Sequence, residues 1–477
     1  MKRILVLLVS MTMVYSLSGD PLQWDQYLGN PGRTAYIDYE GPDSPEILWE
    51  VELSCLAGNP FISKDRVVVE CGGKAVLIDL LTDTLLSEAT ANVESLTGAY
   101  PVGDTILGTT RGGWLYRINP VTGDAPFDVK IPDRFHCFVH CPPIVLSDRM
   151  IFPSTPVVCL SRDDYSTLWD LQSSLGPLYP EDGEVQMIAA SSKRLYIVIR
   201  EVEEKKIWTV DSDTGEFLWA KDGFEISVIA TDGSVLFAGG EGLYALDTET
   251  GELLWLFEFE SDYLSSNIVV GPHAVYATDE EKLYSVDKTT GVLNWKVQWE
   301  GNPFWITYIV GMKNIVICSD VRNLSCFSAE DGTEIWNIHF ADFIDLNPKK
   351  PCPAAAKGIL IVGGKEGSNR ILALASDPDL FVKQGDAFLS EGMKDQAIDS
   401  YKKAAQLYEK EGNLNKSQEM QQKVYELENQ QESTSEPSTP PESPPVTFNF
   451  SIVGIVVLAV TLFGIFIVYY FVKRKEF

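Results

Sequence analysis

The chain is short of positive charge, and this shortage limits what it can bind. Its 477 residues include 38 Lys and Arg against 68 Asp and Glu, which gives a formal net charge of −30. A surface of that sign repels the phosphate backbone of nucleic acids and the head groups of anionic lipids. We therefore expect no nucleic-acid partner.

Cysteine is also scarce, with eight residues in the whole chain. That number excludes a fold built mainly by disulfide bonds, although a few bridges remain compatible with it. Cys318 and Cys326 flank a short turn, and Cys55 and Cys71 are placed similarly. Each pair can face across a hairpin at the Cα distance that a disulfide requires. The alternative for both pairs is free, buried thiols.

The N-terminus has the pattern of a secretory signal. Two basic residues and a short apolar core open the chain, and the small residues Ser16 and Ser18 follow at the spacing of a signal-peptidase site. We expect residues 1–18 to be a cleaved signal peptide. Residues 19–44 then form an N-terminal lead-in.

The C-terminus predicts a membrane anchor. Residues 452–472 contain no charge and are long enough to cross a bilayer as a helix, and basic residues follow at once. We expect a transmembrane helix over residues 448–472 and a cytoplasmic tail over residues 473–477. Residues 429–447 are rich in Pro, Ser, Thr and Glu, which predicts an extended stalk. The predicted topology is single-pass in the cell membrane, with the N-terminal ectodomain outside.

A phrase of the form Asp-x-x-Thr-Gly-x-x-x-Trp recurs at intervals of roughly 40 residues, which indicates a repeat architecture. Its clear copies are residues 211–219, 247–255 and 287–295, and its weaker or decayed copies are residues 78–86, 119–127, 161–169 and 328–336. Short apolar strands separated by turns precede each copy, which favours an all-β fold. Four strands per repeat of this length are typical of a β-propeller blade. The sequence therefore predicts a mainly β protein.

The number of blades follows from two incomplete units. Residues 354–375 supply strands without a Trp strand, whereas residues 46–53, with Trp49, form a Trp strand with nothing before it. We expect the Trp49 strand to complete the last blade and close the ring, because closure removes two open sheet edges. A propeller over residues 45–375 then has eight blades of about 41 residues each. Seven blades are the alternative, because the copy at residues 78–86 is poor.

The repeated phrase, together with the opening WDQYLGNPGRTAY at residues 24–36, resembles the pyrroloquinoline-quinone (PQQ)-like β-propeller repeat family. That family includes quinoprotein alcohol dehydrogenases and BamB-type scaffold proteins. The resemblance implies that each motif Trp packs between neighbouring blades and that the motif Asp residues form turns. The residues given the blade-packing role are Trp49, Trp169, Trp219, Trp255, Trp295 and Trp336.

Candidate chemistry is sparse. Many quinoprotein dehydrogenases that this chain resembles carry a disulfide between adjacent cysteines, and this chain has no such pair. The stretch FHCFVHC brings His136 and His140 close to Cys137 and Cys141 in sequence, and a metal or redox site there is the alternative. Along an extended strand, however, the two His residues lie about 13 Å apart. We expect no catalytic residue, no cofactor and no metal site.

Residues 379–428 change to a helical pattern that resembles a short tetratricopeptide-like module. The residues at tetratricopeptide positions are Phe381, Gly385, Phe388, Ala397, Tyr401 and Ala404. Because fewer than three such repeats seldom stand alone, we expect the helices to pack on the propeller, on a second copy or on a partner. We favour the propeller, since several Lys residues make this segment less acidic than the rest.

Loops and modification sites are open alternatives. Ser173–Glu184 and Ala341–Pro353 are Pro-rich and are either binding loops or plain blade connections. Asn323, Asn415 and Asn449 lie in glycosylation sequons, which matter only if the region is outside the cell.

The function favoured by these patterns is that of a membrane-anchored extracytoplasmic scaffold that binds other proteins of the cell envelope. The alternative, implied by the resemblance, is a PQQ-dependent dehydrogenase. Fold alone does not choose between them.

Overall fold

The computed structural model describes most of the chain between Trp24 and Glu432. The described residues are 24–55, 57–90, 96–110, 112–125, 127–130, 142–180, 183–201, 204–223, 225–261, 263–299, 308–319, 323–339, 352–362 and 369–432. The chain divides into two units between Val424 and Tyr425, and the second unit is described only to residue 432. The predicted signal peptide, transmembrane helix and tail, and most of the stalk, lie outside this part. Within it, no helix combines the length and apolar character needed to cross a membrane.

Strands dominate the described residues. In chain order they are β1 Tyr36–Ile37, β2 Ile47–Glu52, β3 Phe61–Ser63, β4 Arg66–Cys71, β5 Lys74–Asp79, β6 Leu85–Thr90, β7 Leu96–Val102, β8 Thr105–Thr110, β9 Trp114–Ile118, β10 Phe127–Lys130, β11 Ile144–Val145, β12 Arg149–Phe152, β13 Val158–Ser161, β14 Thr167–Asp170, β15 Glu184–Ala190, β16 Arg194–Glu201, β17 Glu204–Asp211, β18 Phe217–Lys221, β19 Ile226–Thr231, β20 Val235–Gly240, β21 Gly242–Asp247, β22 Leu253–Glu258, β23 Val269–Val270, β24 Ala274–Thr278, β25 Lys282–Asp287, β26 Leu293–Gln298, β27 Tyr308–Met312, β28 Ile315–Ser319, β29 Asn323–Ser328, β30 Glu334–His339, β31 Ala354–Ala356, β32 Ile359–Val362 and β33 Arg370–Ala375.

The described helices are fewer. They are α1 Leu171–Leu175, a 3-10 turn at Gly176–Leu178, α2 Pro378–Ser390, α3 Lys394–Lys410 and α4 Leu414–Glu432.

Eight sheets form the blades of a β-propeller. Blades 1 to 6 are β3–β6, β7–β10, β11–β14, β15–β18, β19–β22 and β23–β26; blade 7 is β27–β30 with β1 beside β27, and blade 8 is β31–β33 with β2. Within each blade the four main strands are antiparallel, and in seven of the eight pairs of neighbouring blades the first strands contact one another. The prediction of eight blades is confirmed, and the seven-blade alternative is wrong.

The ring closes where the sequence predicted. The N-terminal strand β2 pairs antiparallel with β33, with Trp49 opposite Ala373. Blade 8 is therefore built from both ends of the propeller sequence. Unfolding of either end would open the ring at this blade, and we call blade 8 together with the turn of blade 1 that Trp49 contacts the seam.

The outer strand of seven blades contains a bulge next to the motif position, in the part of the chain that is described. In blade 5, Trp255 lies opposite Ala245 and Leu253 lies opposite Leu246, so that Leu254 is an extra residue. A bulge bends the strand and increases its twist. In blade 5 the extra side chain is exposed, since Leu254 is 53% exposed.

Residues 24–37 form a strap across the end of the ring where the innermost strands finish. The backbone of Trp24 pairs with Ile62 of blade 1. Further along, four strap carbonyl oxygens accept N–H bonds from blades 4 to 7 in order: Pro31 from Ala190, Gly32 from Thr231, Thr34 from Val270 and Ala35 from Gly311. The strap thus follows the ring in the direction of the blades and ties them together at their centre.

Helices α2 and α3 form an antiparallel hairpin, and the first turns of α4 pack beside them. The six residues predicted at tetratricopeptide positions are all buried. Gly385 is needed for the close approach, because a Cβ at that position would lie 2.6 Å from the Tyr401 ring. The hairpin is observed; its relation to tetratricopeptide repeats stays a prediction.

Candidate interaction surfaces

The motif Trp side chains join neighbouring parts of the ring. Trp219 of blade 4 donates its indole N–H to the carbonyl oxygen of Thr248, the residue after the motif Asp247 of blade 5. The other five bonds of this kind run from Trp49 to Leu80, Trp169 to Ser212, Trp255 to Lys288, Trp295 to Ala329 and Trp336 to Pro42. Five of the six Trp residues are buried and Trp295 is half-buried. The motif Trp is therefore committed to packing and is not free to bind a ligand.

The motif Asp residues are committed to the turns. One carboxylate oxygen of Asp247 accepts hydrogen bonds from the backbone N–H groups of Glu249 and Thr250 and from the Thr250 hydroxyl, at 2.8–3.0 Å. These bonds from Thr250 hold the pKa of Asp247 below its ordinary value. Since a general base needs a free carboxylate near neutral pKa, this arrangement is suited to turn formation and not to proton transfer.

The two predicted disulfides have different outcomes. Cys55 and Cys71 form a disulfide with a Cα–Cα distance of 5.6 Å. The bridge between Cys318 and Cys326 is wrong, since Cys326 is a free, buried thiol. The bridge does not form because of the register of β28 and β29, in which Cys326 lies opposite Ile317 and Cys318 lies opposite Ser325. A one-residue offset places consecutive positions on opposite faces of a strand pair.

The centre of the ring is filled at the strap end. Trp24 and Leu28 are buried there, and the fully buried Arg33 guanidinium donates to the backbone oxygens of Tyr27, Pro142, Pro143 and Ile188. Because these carbonyls already satisfy the guanidinium, Arg33 is committed to holding the strap against the blades. Within the described residues, no group of three His, Cys, Asp or Glu is placed to hold a metal ion.

Helix α2 attaches the hairpin to the seam. The Gln384 side chain is 3% exposed, and its amide nitrogen donates to the carbonyl oxygens of Leu48 in β2 and Leu81 in blade 1, at 2.7 and 2.8 Å. Its carbonyl oxygen accepts a bond from Ser400 of α3. Lys403 also pairs with Glu46. The helices therefore pack on the propeller, as the first of the predicted arrangements requires.

Two equivalent triads hold the three helices together. Lys423 of α4 and the Tyr401 hydroxyl of α3 both donate to the Asp386 carboxylate of α2, at 2.7 and 2.6 Å, and the Lys423 ammonium lies 4.1 Å from the Tyr401 ring centre. Seven residues away on each helix, Asp379, Tyr408 and Lys416 make the same arrangement. Hydrogen bonds from Tyr408 and Lys416 hold the pKa of Asp379 below its ordinary value. At Asp386, burial raises the pKa, but the hydrogen bonds from Lys423 and Tyr401 lower it by more, so that this pKa also lies below its ordinary value.

The remaining candidates are placed as follows. In the first loop, α1 begins after Asp170, whose carboxylate accepts the Ser173 N–H, and Leu178 is exposed. Asn323 opens β29, and Asn415 is exposed in the first turn of α4. Outside the described residues lie the FHCFVHC cluster with His136, Cys137, His140 and Cys141, nearly all of Ala341–Pro353, and Asn449.

The outer strands expose apolar side chains around the ring, and we call this set the rim. Its members at the bulge positions are Leu86, Leu168, Leu218, Leu254 and Ile335, each 40–53% exposed. Blade 5 adds Leu253 and Leu256 and so exposes three leucines on one strand, more than any other outer strand among the described side chains. Exposed apolar side chains that lie together mark interaction surfaces, and the three leucines of β22 are the densest such group on the described outer strands.

Sequence reasoning missed the strap, the triads and the rim. The signal for the rim was present, because most copies of the motif carry an apolar residue directly before the Trp position. In a regular strand without a bulge, that residue would simply alternate with its neighbours between the two faces. The strap had no such signal, since its contacts depend on backbone atoms.

Comparison with known proteins supports the propeller assignment. Residues 203–306, from the middle of blade 4 through blade 6, match the family described as outer membrane protein assembly factor BamB. This match confirms the resemblance to the PQQ-like repeat family. No curated protein matches the sequence.

Solved structures share the fold at low identity. Quinohemoprotein alcohol dehydrogenase from Comamonas testosteroni superposes with a TM-score of 0.58 at 10% identity, covering 76% of this chain and 84% of that one. The computationally designed Ika8 protein gives 0.57 at 14% identity, covering 70% and 100%. BamB from Moraxella catarrhalis gives 0.48 at 14% identity, covering 70% and 100%. Identities this low show the fold alone.

Proposed function

We propose that the protein is a membrane-anchored, extracytoplasmic scaffold whose propeller binds other proteins of the cell envelope. The observation that carries this proposal is the rim, an ordered set of exposed apolar side chains on a rigid ring. Protein interfaces are built around such apolar centres with polar edges. The matched family is described as an assembly factor, which supports the same class of function.

The motif residues support a binding role over a catalytic one. The repeated Trp side chains join blades, and the repeated Asp side chains form turns. The outer strands still expose the apolar side chains of the rim. The chain that carries them is acidic, with a formal net charge of −30. This combination suits recognition of partner proteins that bring apolar and basic groups.

Site-specific photocrosslinking in cells tests the proposal. A photoreactive amino acid at Leu168, Leu218 or Ile335 is expected to capture a discrete partner protein. The same amino acid at Asp65, an exposed residue in a turn of blade 1, is the matched control and is expected to capture none. Equal capture at all four positions, or none at any, would refute the scaffold function.

The PQQ-dependent dehydrogenase is the second candidate, and the shared fold of quinohemoprotein alcohol dehydrogenases is the observation in its favour. The test is dye reduction by the purified protein after addition of PQQ and Ca²⁺, with alcohols or sugars as electron donors. Sustained turnover would establish the enzyme and overturn the scaffold proposal. We expect no turnover, because the strap fills one end of the axis.

A further inference from the structure

We propose that β22, the outer strand of blade 5, is a docking edge to which an extended, basic segment of a partner protein adds as a fifth strand. The inference rests on the proposed scaffold function and names the site and the chemistry of the partner. It concerns the six residues Leu253 to Glu258.

One edge of β22 is open. The strand pairs on its inner side with β21, where Leu243 lies opposite Phe257 and Ala245 lies opposite Trp255. On its outer side no strand pairs with it in the described part of the chain. The outward N–H and C=O groups are therefore available, and six residues is a typical length for strand pairing.

The side chains of β22 lack the usual protection of an edge. Sheet edges are normally guarded by charged residues that discourage pairing. The outer strands of blades 1, 6 and 8 carry such exposed charges at Glu88, Lys296 and Glu50. In β22 the equivalent stretch is apolar, with Leu253, Leu254 and Leu256 exposed, and its first charge is the last residue, Glu258.

The charges at the two ends of the strand select the occupant. Glu252 precedes β22 and Glu258 ends it, and both are exposed. Just beyond, Glu260 is already paired with Lys282 and Lys296, so the carboxylate that this end of the strand offers to a partner is that of Glu258. A partner strand with apolar residues in its middle and Lys or Arg at its ends fits this edge.

A second copy of the chain is a poorer occupant. Antiparallel pairing of two β22 strands would bring Glu252 of each copy close to Glu258 of the other. Like charges near one another across a strand pair are destabilising. The chain's net charge of −30 adds a general repulsion. Charge therefore favours a different, basic protein.

A substitution taken from a neighbouring blade tests the edge. Leu256 and Lys296 both follow the motif Trp, in blades 5 and 6. Leu256→Lys therefore gives β22 the charge that blade 6 already carries. Ala220→Lys, at the same position of blade 4, is the matched control. Both positions are exposed, so melting temperatures are expected to stay close to that of the unchanged protein.

The probe is a labelled peptide with the sequence Lys-Val-Thr-Val-Leu-Val-Lys, and a second peptide has Glu in place of both Lys residues. Fluorescence anisotropy is measured with the full-length protein in detergent micelles. The expected result is binding of the basic peptide that Leu256→Lys weakens at least tenfold and Ala220→Lys changes less than twofold. The acidic peptide is expected to bind at least tenfold more weakly.

Three outcomes would overturn the inference: no binding of the basic peptide, unchanged binding by Leu256→Lys, or equal binding of the two peptides. Self-association that Leu256→Lys abolishes, measured by analytical ultracentrifugation, would identify a second copy as the occupant and also overturn it. The scaffold function fails separately, through the absence of crosslinks at Leu168, Leu218 and Ile335. These three rim positions lie outside β22.

Discussion

Blade 5 and blade 1 build the same turn with different residues, and the difference separates what the turn requires from what packing requires. In both, one Asp carboxylate oxygen accepts two backbone N–H bonds and one Thr hydroxyl bond, from Asp247 in blade 5 and from Asp79 in blade 1. The last turn residue has a positive φ in both, +71° at Gly251 and +57° at Asp83. The turn thus uses Asp and Thr in both blades, whereas Gly is dispensable at the seam.

Packing explains why blade 5 keeps the glycine. A Cβ on Gly251 would lie 2.7 Å from the Trp219 ring, closer than real Cβ atoms approach. The equivalent glycines Gly215, Gly291 and Gly332 face the Trp of the preceding blade at 2.6–2.9 Å. At the seam, helix α2 covers the turn instead, through Gln384 and Leu81. In blades 4 to 7, the Trp of the preceding blade packs on the glycine of the turn. At the seam, Trp49 and the added helices stabilise the turn together.

The largest effect is expected from removing a motif Trp in a regular blade. Trp255→Ala takes away a buried indole and its bond to Lys288. We expect a loss of about 3–5 kcal/mol in the free energy of unfolding, measured by denaturant titration. A loss below about 1 kcal/mol would contradict the blade-packing role.

The next effect tests the glycine contact. Gly251→Ala is expected to cost about 2–4 kcal/mol, because a positive φ and a clash with Trp219 act together. Gly392→Ala is the control, since Gly392 has φ +79° but nothing within 4 Å of its Cβ direction. The control is expected to cost only about 1–2 kcal/mol. Equal losses in the two variants would show that the Trp contact contributes nothing.

These two blades also show how far the sequence predicts the fold. The eight repeats and the closing strand followed from the spacing of Asp, Thr, Gly and Trp, because those residues set turns and packing locally. The prediction of a disulfide between Cys318 and Cys326 was wrong, because the spacing of two cysteines along the chain does not fix which residues lie opposite each other in the paired strands. The strap was missed for a related reason: its bonds join backbone atoms of residues far apart in sequence.

The candidate surface was predictable only in part. An apolar residue before the motif Trp is visible in the sequence, but the bulge that exposes it is set by the pairing of β21 with β22. Docking of the helices was predicted from charge, and Lys403 does pair with Glu46, but the buried contact is made by a neutral amide, Gln384. The charge of the side chains thus predicted that the helices dock on the propeller, whereas the residues that make the contact were seen only in the structure.

A smaller effect is expected at the seam contact. Gln384→Ala leaves the carbonyl oxygens of Leu48 and Leu81 without the amide donors, which costs about 1–3 kcal/mol. The helices rather than the whole ring are expected to loosen, so limited proteolysis between Ala375 and Asp379 should accelerate. Gln406→Ala, on the exposed side of α3, is the control and should leave the rate unchanged. Acceleration in both variants would refute a specific role for Gln384.

Acid is expected to loosen the same helices slightly. The pKa values of Asp379 and Asp386 are lowered in the folded chain from 3.8, so the folded form binds fewer protons than the unfolded form. Their contribution is present above about pH 4 and is lost as the pH falls through the lowered values. Both triads are partly exposed, so we expect about 1 kcal/mol or less. Hydrogen exchange of α2 and α3 amides that is equal at pH 3 and pH 6, after correction for intrinsic rates, would contradict this.

The smallest effect concerns Asp83, the residue that stands in blade 1 where blade 5 has Gly251. Burial raises the pKa of Asp83, and the carboxylates of Asp79 and Glu391 raise it further. Its charge therefore opposes folding at neutral pH, and Asp83→Asn should stabilise the protein by a few tenths of a kcal/mol up to about 1 kcal/mol. Asn tolerates a positive φ as Asp does, so this variant changes the charge alone. Because Asp83 becomes neutral in acid, the gain from Asn should shrink as the pH falls toward 4. Asp83→Gly relaxes the backbone as well but makes the unfolded chain more flexible, and it is expected to differ little from Asn. A gain from Asp83→Gly that exceeds that of Asp83→Asn by more than about 1 kcal/mol would show that backbone strain, and not charge, is what distinguishes the seam turn from the turn of blade 5.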